Sequence, residues 1–464
     1  MNKIKFDKYQ LKAIKSLKNT LLVAGAGAGK STTIVGKIDF LLKNGYNKEE
    51  ILCISFTNAS VNDLKKKLKY DIDVFTFHKL SLKILEHSLK LCKLCDSELL
   101  LKVVNKYLDD ILSSKKKKKK FLKYVTNIDN FKKLTLRFIN LFKSNNYNEY
   151  KFQEIFKQIN KIKNKNKRLS NLMYLVNIIN IYKLYKIELN STFELDFNDL
   201  IIEATKAVNT STFTDNYKYI IIDEFQDTSL VRLNLILEIY NKNKCKVFCV
   251  GDDFQSIYQF TGCNLNIFLN FKNYFKNSNI KKLKMTYRNP QELINVAGAF
   301  VMKNKLQIKK KLISNKHINK PIKIVYLDNN NNLLKLLNII KTSYIILGRN
   351  NKDIYKYFNN EEMIKYNIKY LTIHKSKGLE DDNIVVINLT NDFNSIPSSI
   401  KNDYLIDLLI DNSKDIYFEE RRLFYVALTR TKNNVYLITN KHYESSFIKE
   451  LINDYKKYIE FISL

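Results

Sequence analysis

The sequence predicts an α/β protein with two domains built on parallel sheets, the first of them carrying a helical insertion. Three observations carry that reading. Short apolar runs alternate with amphipathic segments over roughly the first eighty residues, from about 190 to 280, and again after 340, as strands and their covering helices do in parallel-sheet units. Residues 86–190 instead place leucine, isoleucine and phenylalanine at helical spacing and contain no glycine or proline. The apolar run "LLVA" leads into "AGAGAGKSTT" at residues 24–33, which reads as a strand, a glycine-rich turn and a helix start. The expected division is residues 1–85 with 191–280, the insertion 86–190, and residues 281–464.

The turn indicates what it binds. Gly25, Gly27 and Gly29 are free to take backbone angles closed to other residues, so that N–H groups along Ala24, Gly25, Ala26, Gly27, Ala28 and Gly29 can face a triphosphate. Lys30 then reaches the β and γ phosphates. Ser31 places its hydroxyl on a magnesium ion, and the helix running on through Thr32 aims its positive end at the anion. A second stretch, "YKYIIIDEFQDTS", completes an ATP site: a buried strand delivers Asp223 and Glu224 at its carboxyl end, where open parallel sheets bind ligands. Asp223 is expected to hold the magnesium, directly or through water, and Glu224 to take a proton from the attacking water.

Composition limits how the nucleotide is used. The formal charge is +33, from 79 Lys+Arg against 46 Asp+Glu, and within 86–190 basic residues outnumber acidic ones 24 to 9. Such an excess suits a polyanionic partner, nucleic acid foremost. Lysine, asparagine and isoleucine abound throughout, however, so a bias toward AT-rich codons accounts for part of it. "SSKKKKKK" (113–120) reads as a solvated or disordered loop. The start "MNKIKFDKYQ" lacks an apolar run and no segment approaches a membrane span, so a soluble intracellular protein without a membrane partner is expected. Six scattered cysteines make no disulfide framework, and "CKLC" (Cys92, Cys95) is half a zinc pattern with no second pair at the required spacing.

The order and wording of the motifs resemble the UvrD/Rep/PcrA group of superfamily 1 DNA helicases, over nearly the whole chain. "FDKYQLKAI" resembles the family's Q motif, with Gln10 as the adenine reader. "ILCISFTNAS" and "VFTFHKLS" are similar to segments that meet single-stranded DNA, and the resemblance implies DNA contacts for Phe56, Thr57, Asn58 and His78. "VFCVGDDFQSIYQFTG" is similar to the motif that couples ATP to DNA, with Gln255 sensing the γ-phosphate and Tyr258 and Phe260 stacking on bases. "LKMTYRNP" implies Tyr287 on the adenine and Arg288 as an arginine finger, "LTIHKSKGLE" implies Glu380 on the ribose, and "EERRLFYVALTRTK" implies Arg430 as a second finger. The resemblance implies two RecA-like domains of the P-loop NTPase type, ATP and Mg2+ as cofactors, and 3′-to-5′ movement on single-stranded DNA and 3′-tailed duplexes, in repair, replication or recombination. A protein loading partner is left open.

This chain departs from the family pattern in four places. Thr32 stands where an arginine usually packs on the base. Ala59-Ser60-Val61 replaces Lys-Ala-Ala, Thr261-Gly262-Cys263 replaces Arg-Gly-Ala, and Asp381 replaces an aromatic. In addition only Glu361 to Tyr370 separate "YIILGRNNKDIYKYFNN" from "LTIHKSKGLE", where the family inserts a large accessory subdomain; ten residues can form a loop or a strand but cannot enclose a core. Two rival functions are a translocase that displaces proteins with little unwinding, and a non-catalytic single-strand-binding protein. Intact Lys30, Asp223, Glu224, Gln255, Arg288 and Arg430 argue against the second.

Overall fold

The computed structural model describes residues 5–87, 93–327, 331–410 and 417–462. The first strands in chain order are β1 (Asn19–Val23), β2 (Ile51–Ser55), β3 (Asp73–Thr76), the two-residue β4 (Lys93–Leu94) and β5 (Glu194–Leu195), β6 (Tyr219–Ile222), β7 (Lys246–Gly251) and β8 (Ser278–Lys282). All but β4 and β5 join one parallel sheet ordered β3-β2-β6-β7-β1-β8. Alternation decides which side chain meets which helix layer. Leu21, Ile54, Ile222 and Cys249 enter one core cluster, and their neighbours Leu22, Cys53, Ile221 and Phe248 enter the other. Both faces are thus covered, as the near-continuous apolar strands require.

The later strands repeat the arrangement. β9 (Ile322–Tyr326), β10 (Tyr344–Gly348), β11 (Tyr370–Thr372), β12 (Asn383–Val386), β13 (Val435–Thr439) and β14 (Ile459–Ile462) form a second parallel sheet, ordered β11-β10-β12-β13-β9-β14. The two parallel α/β sheets are those the sequence predicts. Because every strand in a sheet runs the same way, the loops leaving their carboxyl ends gather along one edge. Between β10 and β11 lie a 3-10 turn, Asp353–Lys356, and one short α-helix, Asn360–Lys365, whose Asn359 and Glu362 form a reciprocal capping box.

Five helices, Leu99–Ser113, Lys115–Leu122, Ile128–Ser144, Tyr150–Asn160 and Lys165–Thr192, enclose a separate core in which Phe142 and Phe152 stack at 4.4 Å. The expectation of a loop at "SSKKKKKK" is corrected: Lys115 to Lys120 are exposed but helical. Ser114 caps that helix by accepting the Lys117 N–H, Phe121 anchors it in the core, and lysine is a good helix former. Leu405, Ile406 and Leu409, at 0%, 1% and 1% exposure, pack into this same helical core although they lie between β12 and β13 of the second sheet. Tyr404 donates its hydroxyl to the Gln158 carbonyl, and Tyr147 donates to that of Leu409. Cys92 lies outside the described residues. Among those residues, no helix is long and apolar enough to cross a membrane.

Candidate functional site

The glycine-rich turn leaves the carboxyl end of β1 and is fastened from behind. Ala24 donates its N–H to the Gly251 carbonyl at 2.9 Å, while the carbonyls of Ala26 and Gly27 accept from the Thr286 hydroxyl at 2.8 Å and the Tyr287 N–H at 2.9 Å. Holding carbonyls on the outside turns the alternate amides inward. Gly27 and Gly29 have φ of 65° and 76°, so a side chain at either would be strained. A Cβ on Gly27 would also come within 2.5 Å of the Arg288 Cβ. Gly29 caps the helix Lys30–Lys43 without a side-chain hydrogen bond, leaving the amides of the first turn, Ser31 and Thr32 included, available to an anion. Gln10 and Tyr287 stand on either side of Gly29: a Cβ there would lie 2.7 Å from the Gln10 amide nitrogen and 3.7 Å from the Tyr287 ring. The Tyr287 hydroxyl donates to Asp7 at 2.8 Å. Two of the sequence-predicted base contacts therefore flank the turn.

Asp223 directly follows β6, its N–H pairing with the Ile54 carbonyl at 2.9 Å, and the next residue, Glu224, takes a left-handed φ of 50°. That conformation, costing a non-glycine residue about 1–2 kcal/mol, swings the Glu224 carboxylate onto Lys30, whose Nζ donates at 2.5 Å. Gln226 donates to the other oxygen at 2.6 Å, and the Lys377 ammonium stands 3.7 Å away while pairing with Asp227. Burial, then the Glu224 charge, pushes the Asp223 carboxyl up to about 6. Burial acts in the same direction on Glu224, but Lys30 and Lys377 outweigh it and hold that carboxyl at about 2. A buried carboxylate raised in this way is a hard oxygen donor short of positive charge, and it fits a magnesium ion.

The second sheet reaches the same edge. Gln255, after β7, donates its amide to Asp252 at 2.5 Å and accepts from the Arg430 guanidinium at 3.0 Å. Arg430 is 2% exposed; burial and the nearby Arg288 guanidinium pull it down to about 9. Arg288 donates to Glu380 at 2.7 Å and to the Thr429 carbonyl at 3.2 Å, so the residue expected at the ribose is held here by an expected finger. The structure thus brings Lys30, Asp223, Glu224, Gln255, Arg288 and Arg430 into one neighbourhood.

The residues expected at DNA fall into two groups. Tyr258, Phe260 and His374 form an aromatic cluster with ring centroids 5.5–6.2 Å apart. Tyr258 donates its hydroxyl to the His374 carbonyl at 2.9 Å with the Lys377 ammonium 4.9 Å from its ring, whereas Phe260 is 45% exposed. The second group lies beyond β2 and β3. The Arg232 guanidinium sits 4.8 Å over the Phe56 ring, and His78 packs on the half-exposed Phe197 at 4.6 Å. Burial, with Arg232 second, lowers His78 to about 4, which leaves it neutral at pH 7. Thr57 caps the helix Asn58–Lys67 by accepting the Ser60 N–H at 3.1 Å, and both Thr57 and Asn58 are exposed.

Sequence reasoning passed over Lys377, Arg232, Lys310 and Arg422, although each has a partner in this region. Lys377 lies inside "LTIHKSKGLE" and was open to notice. Arg422 donates to the Ser256 carbonyl at 2.6 Å. Lys310 stands in the lysine-rich run "KNKLQIKKKL", where nothing local sets it apart.

A family model described as the UvrD/REP helicase N-terminal domain matches residues 6–276, and one described as the UvrD-like helicase C-terminal domain matches residues 330–442. DNA helicase IV of Escherichia coli (strain K12) is 27% identical over 96% of this chain and 69% of its own length. The ATP-dependent DNA helicase Rep of Buchnera aphidicola subsp. Baizongia pistaciae is 27% identical over 79% of this chain but 54% of its own length, so the chain matches about half of that relative. A probable DNA helicase of Mycoplasma pneumoniae is 26% identical over 93% of this chain and 84% of its own length.

Proposed function

The chain belongs to the UvrD/Rep helicase family, and on that premise we propose that it is an ATP-dependent DNA helicase whose two parallel-sheet domains step along single-stranded DNA in the 3′-to-5′ direction. The observation that carries the reading is the Gln255–Arg430 hydrogen bond at 3.0 Å, which links the residue leaving β7 of one sheet to a buried arginine of the other. A γ-phosphate near Gln255 would draw both fingers inward and favour the closed cleft. Lys30 is held by Glu224 and would be drawn off by a triphosphate, which frees that carboxylate to accept a proton from water. Magnesium, held by Asp223 and the Ser31 hydroxyl, would neutralise phosphate charge. Gln10 and Tyr287 would receive the adenine, and Glu380, once exchanged from Arg288, the ribose. Phe260 and Tyr258, a short segment away from Gln255, connect the cleft to the strand, with Phe56, Thr57, Asn58 and His78 further along it.

One experiment tests this. ATP hydrolysis is measured with no polymer, single-stranded DNA, single-stranded RNA and duplex DNA, then strand separation on duplexes with 3′ or 5′ tails. Stimulation by single-stranded DNA with unwinding from the 3′ tail is expected. Stimulation without unwinding assigns a protein-displacing translocase, and no hydrolysis at all removes the motor reading.

A further inference from the structure

Behind the glycine-rich turn runs the segment after the helix Gln291–Val301, which returns from the second sheet's core toward the first. Asn304 donates to the Phe418 carbonyl at 3.0 Å on the second side, and Gln307 donates to the Asp253 carbonyl at 3.0 Å on the first. The Ile308 N–H reaches one Asp253 carboxylate oxygen at 2.8 Å. Lys310 follows, its side chain 2% exposed between Asp252 and Asp253, which are both at 0%.

An ammonium has three protons to donate. Here they go to Oδ1 of Asp252, to Oδ1 of Asp253 at 2.6 Å, and to the Ala24 carbonyl at 3.0 Å, the first residue of the turn. The Phe254 ring closes the site, 3.8 Å from Nζ. The other oxygen of Asp252 accepts the Gln255 amide. With the amide reversed, the Gln255 oxygen would face a carboxylate and its NH2 group would face the Arg430 guanidinium, so Asp252 fixes the orientation in which the oxygen meets Arg430.

We propose that Lys310 is a positioning residue for hydrolysis: it anchors Asp252 to the back of the turn and thereby sets the side chain of Gln255 against Arg430. It meets the turn only from behind, at the Ala24 carbonyl, and its ammonium is enclosed by Asp252, Asp253 and Phe254. The inference rests on the ATP-driven reading above and adds a residue outside the recognised motifs, carried on the segment that bridges the two domains. A displaced Gln255 affects the closed state more than ground-state nucleotide binding, so the loss falls on kcat.

The test is a double-mutant cycle on the full chain, read as ATP hydrolysis with saturating single-stranded DNA. Lys310→Met is expected to lower kcat roughly tenfold or more, as misplacement of a positioned group does, with KM for ATP changed less than about threefold. In a Gln255→Ala background the same change is expected to alter kcat less than about twofold. Removing the ammonium leaves buried carboxylates unpaired, so Lys310→Met is paired with Lys310→Met/Asp253→Asn, and circular dichroism checks folding of each. An additive cycle, a rise in KM with kcat intact, or failure of both forms to fold overturns the proposal and makes Lys310 structural. Absence of DNA-stimulated hydrolysis in the unaltered protein would instead remove the function on which it rests.

Discussion

At the scale of single residues, Glu224 joins local strain to chemistry. Its positive φ is costly, yet it places the carboxylate between Lys30 and Gln226, where two ammonium groups keep it ionised. Glu224→Gln keeps that shape while removing the proton acceptor. Its DNA-stimulated ATP turnover is expected to fall roughly 10²–10⁴-fold while equilibrium binding of ATP and of single-stranded DNA persists; turnover near the unaltered rate would remove the base from Glu224. Lys37 makes a separate prediction about stability. It is fully buried, donating to the carbonyls of Ile14 at 3.0 Å and Ser16 at 2.5 Å, and burial pushes it from 10.5 down to about 7. Between those values the unfolded chain holds a proton that the folded one has released, so this group makes stability rise with pH from about 7 toward 10.5. Denaturant midpoints across that window should lose this component of the rise in Lys37→Met.

At the scale of elements, the loops at the carboxyl edges of the strands hold the candidate site residues, and helices and straps position them. Phe260 follows β7 by nine residues and is half-exposed beside Tyr258. Phe260→Ala is expected to weaken single-stranded DNA binding by about 1–3 kcal/mol. Because stacking releases no counterions, fluorescence titrations should show the same slope of log affinity against log salt as the unaltered protein; a changed slope would assign an ionic role to this loop. The segment Tyr404–Asp407 has a different task, since its apolar neighbours fill the core of the helical unit. Leu405→Ala is expected to cost about 2–5 kcal/mol, read as earlier loss of helical signal in denaturant. Unchanged unfolding would mean that this docking contributes little.

At the scale of the whole molecule, the helical unit grows out of the first sheet's chain yet is pinned by a strap from the second, so the proposed closure of the two domains is expected to move or strain that strap. A 3-10 turn and one six-residue α-helix occupy the place between β10 and β11 where the resemblance implies an accessory subdomain. The resemblance implies that this subdomain restrains unwinding by single molecules, so the proposed motor is expected to lack that restraint. A single bound molecule is expected to unwind a short 3′-tailed duplex in one turnover, with the amplitude tracking the fraction of DNA carrying one protein. Unwinding confined to tails loaded with several molecules, while one molecule translocates normally, would sink the idea of an unrestrained motor.

Much of the candidate site is legible in the sequence because its parts are local. The turn at Ala24 to Gly29 and the acid pair after "YIII" each follow directly from a strand, and a parallel sheet brings strand ends to one edge whatever lies between them. The alternation of Leu21, Leu22 and Val23 between two cores is likewise written in a period of two. Tertiary structure alone decided the rest. Lys310 meets a carbonyl 286 positions away, Lys377 meets an aspartate 150 away, and Leu405 joins a core made by residues more than two hundred positions earlier. A lysine in a lysine-rich chain carries no local sign of its partner, and an apolar segment does not state which core it enters. Those choices are made when packing excludes water and a buried charge must find its counter-charge.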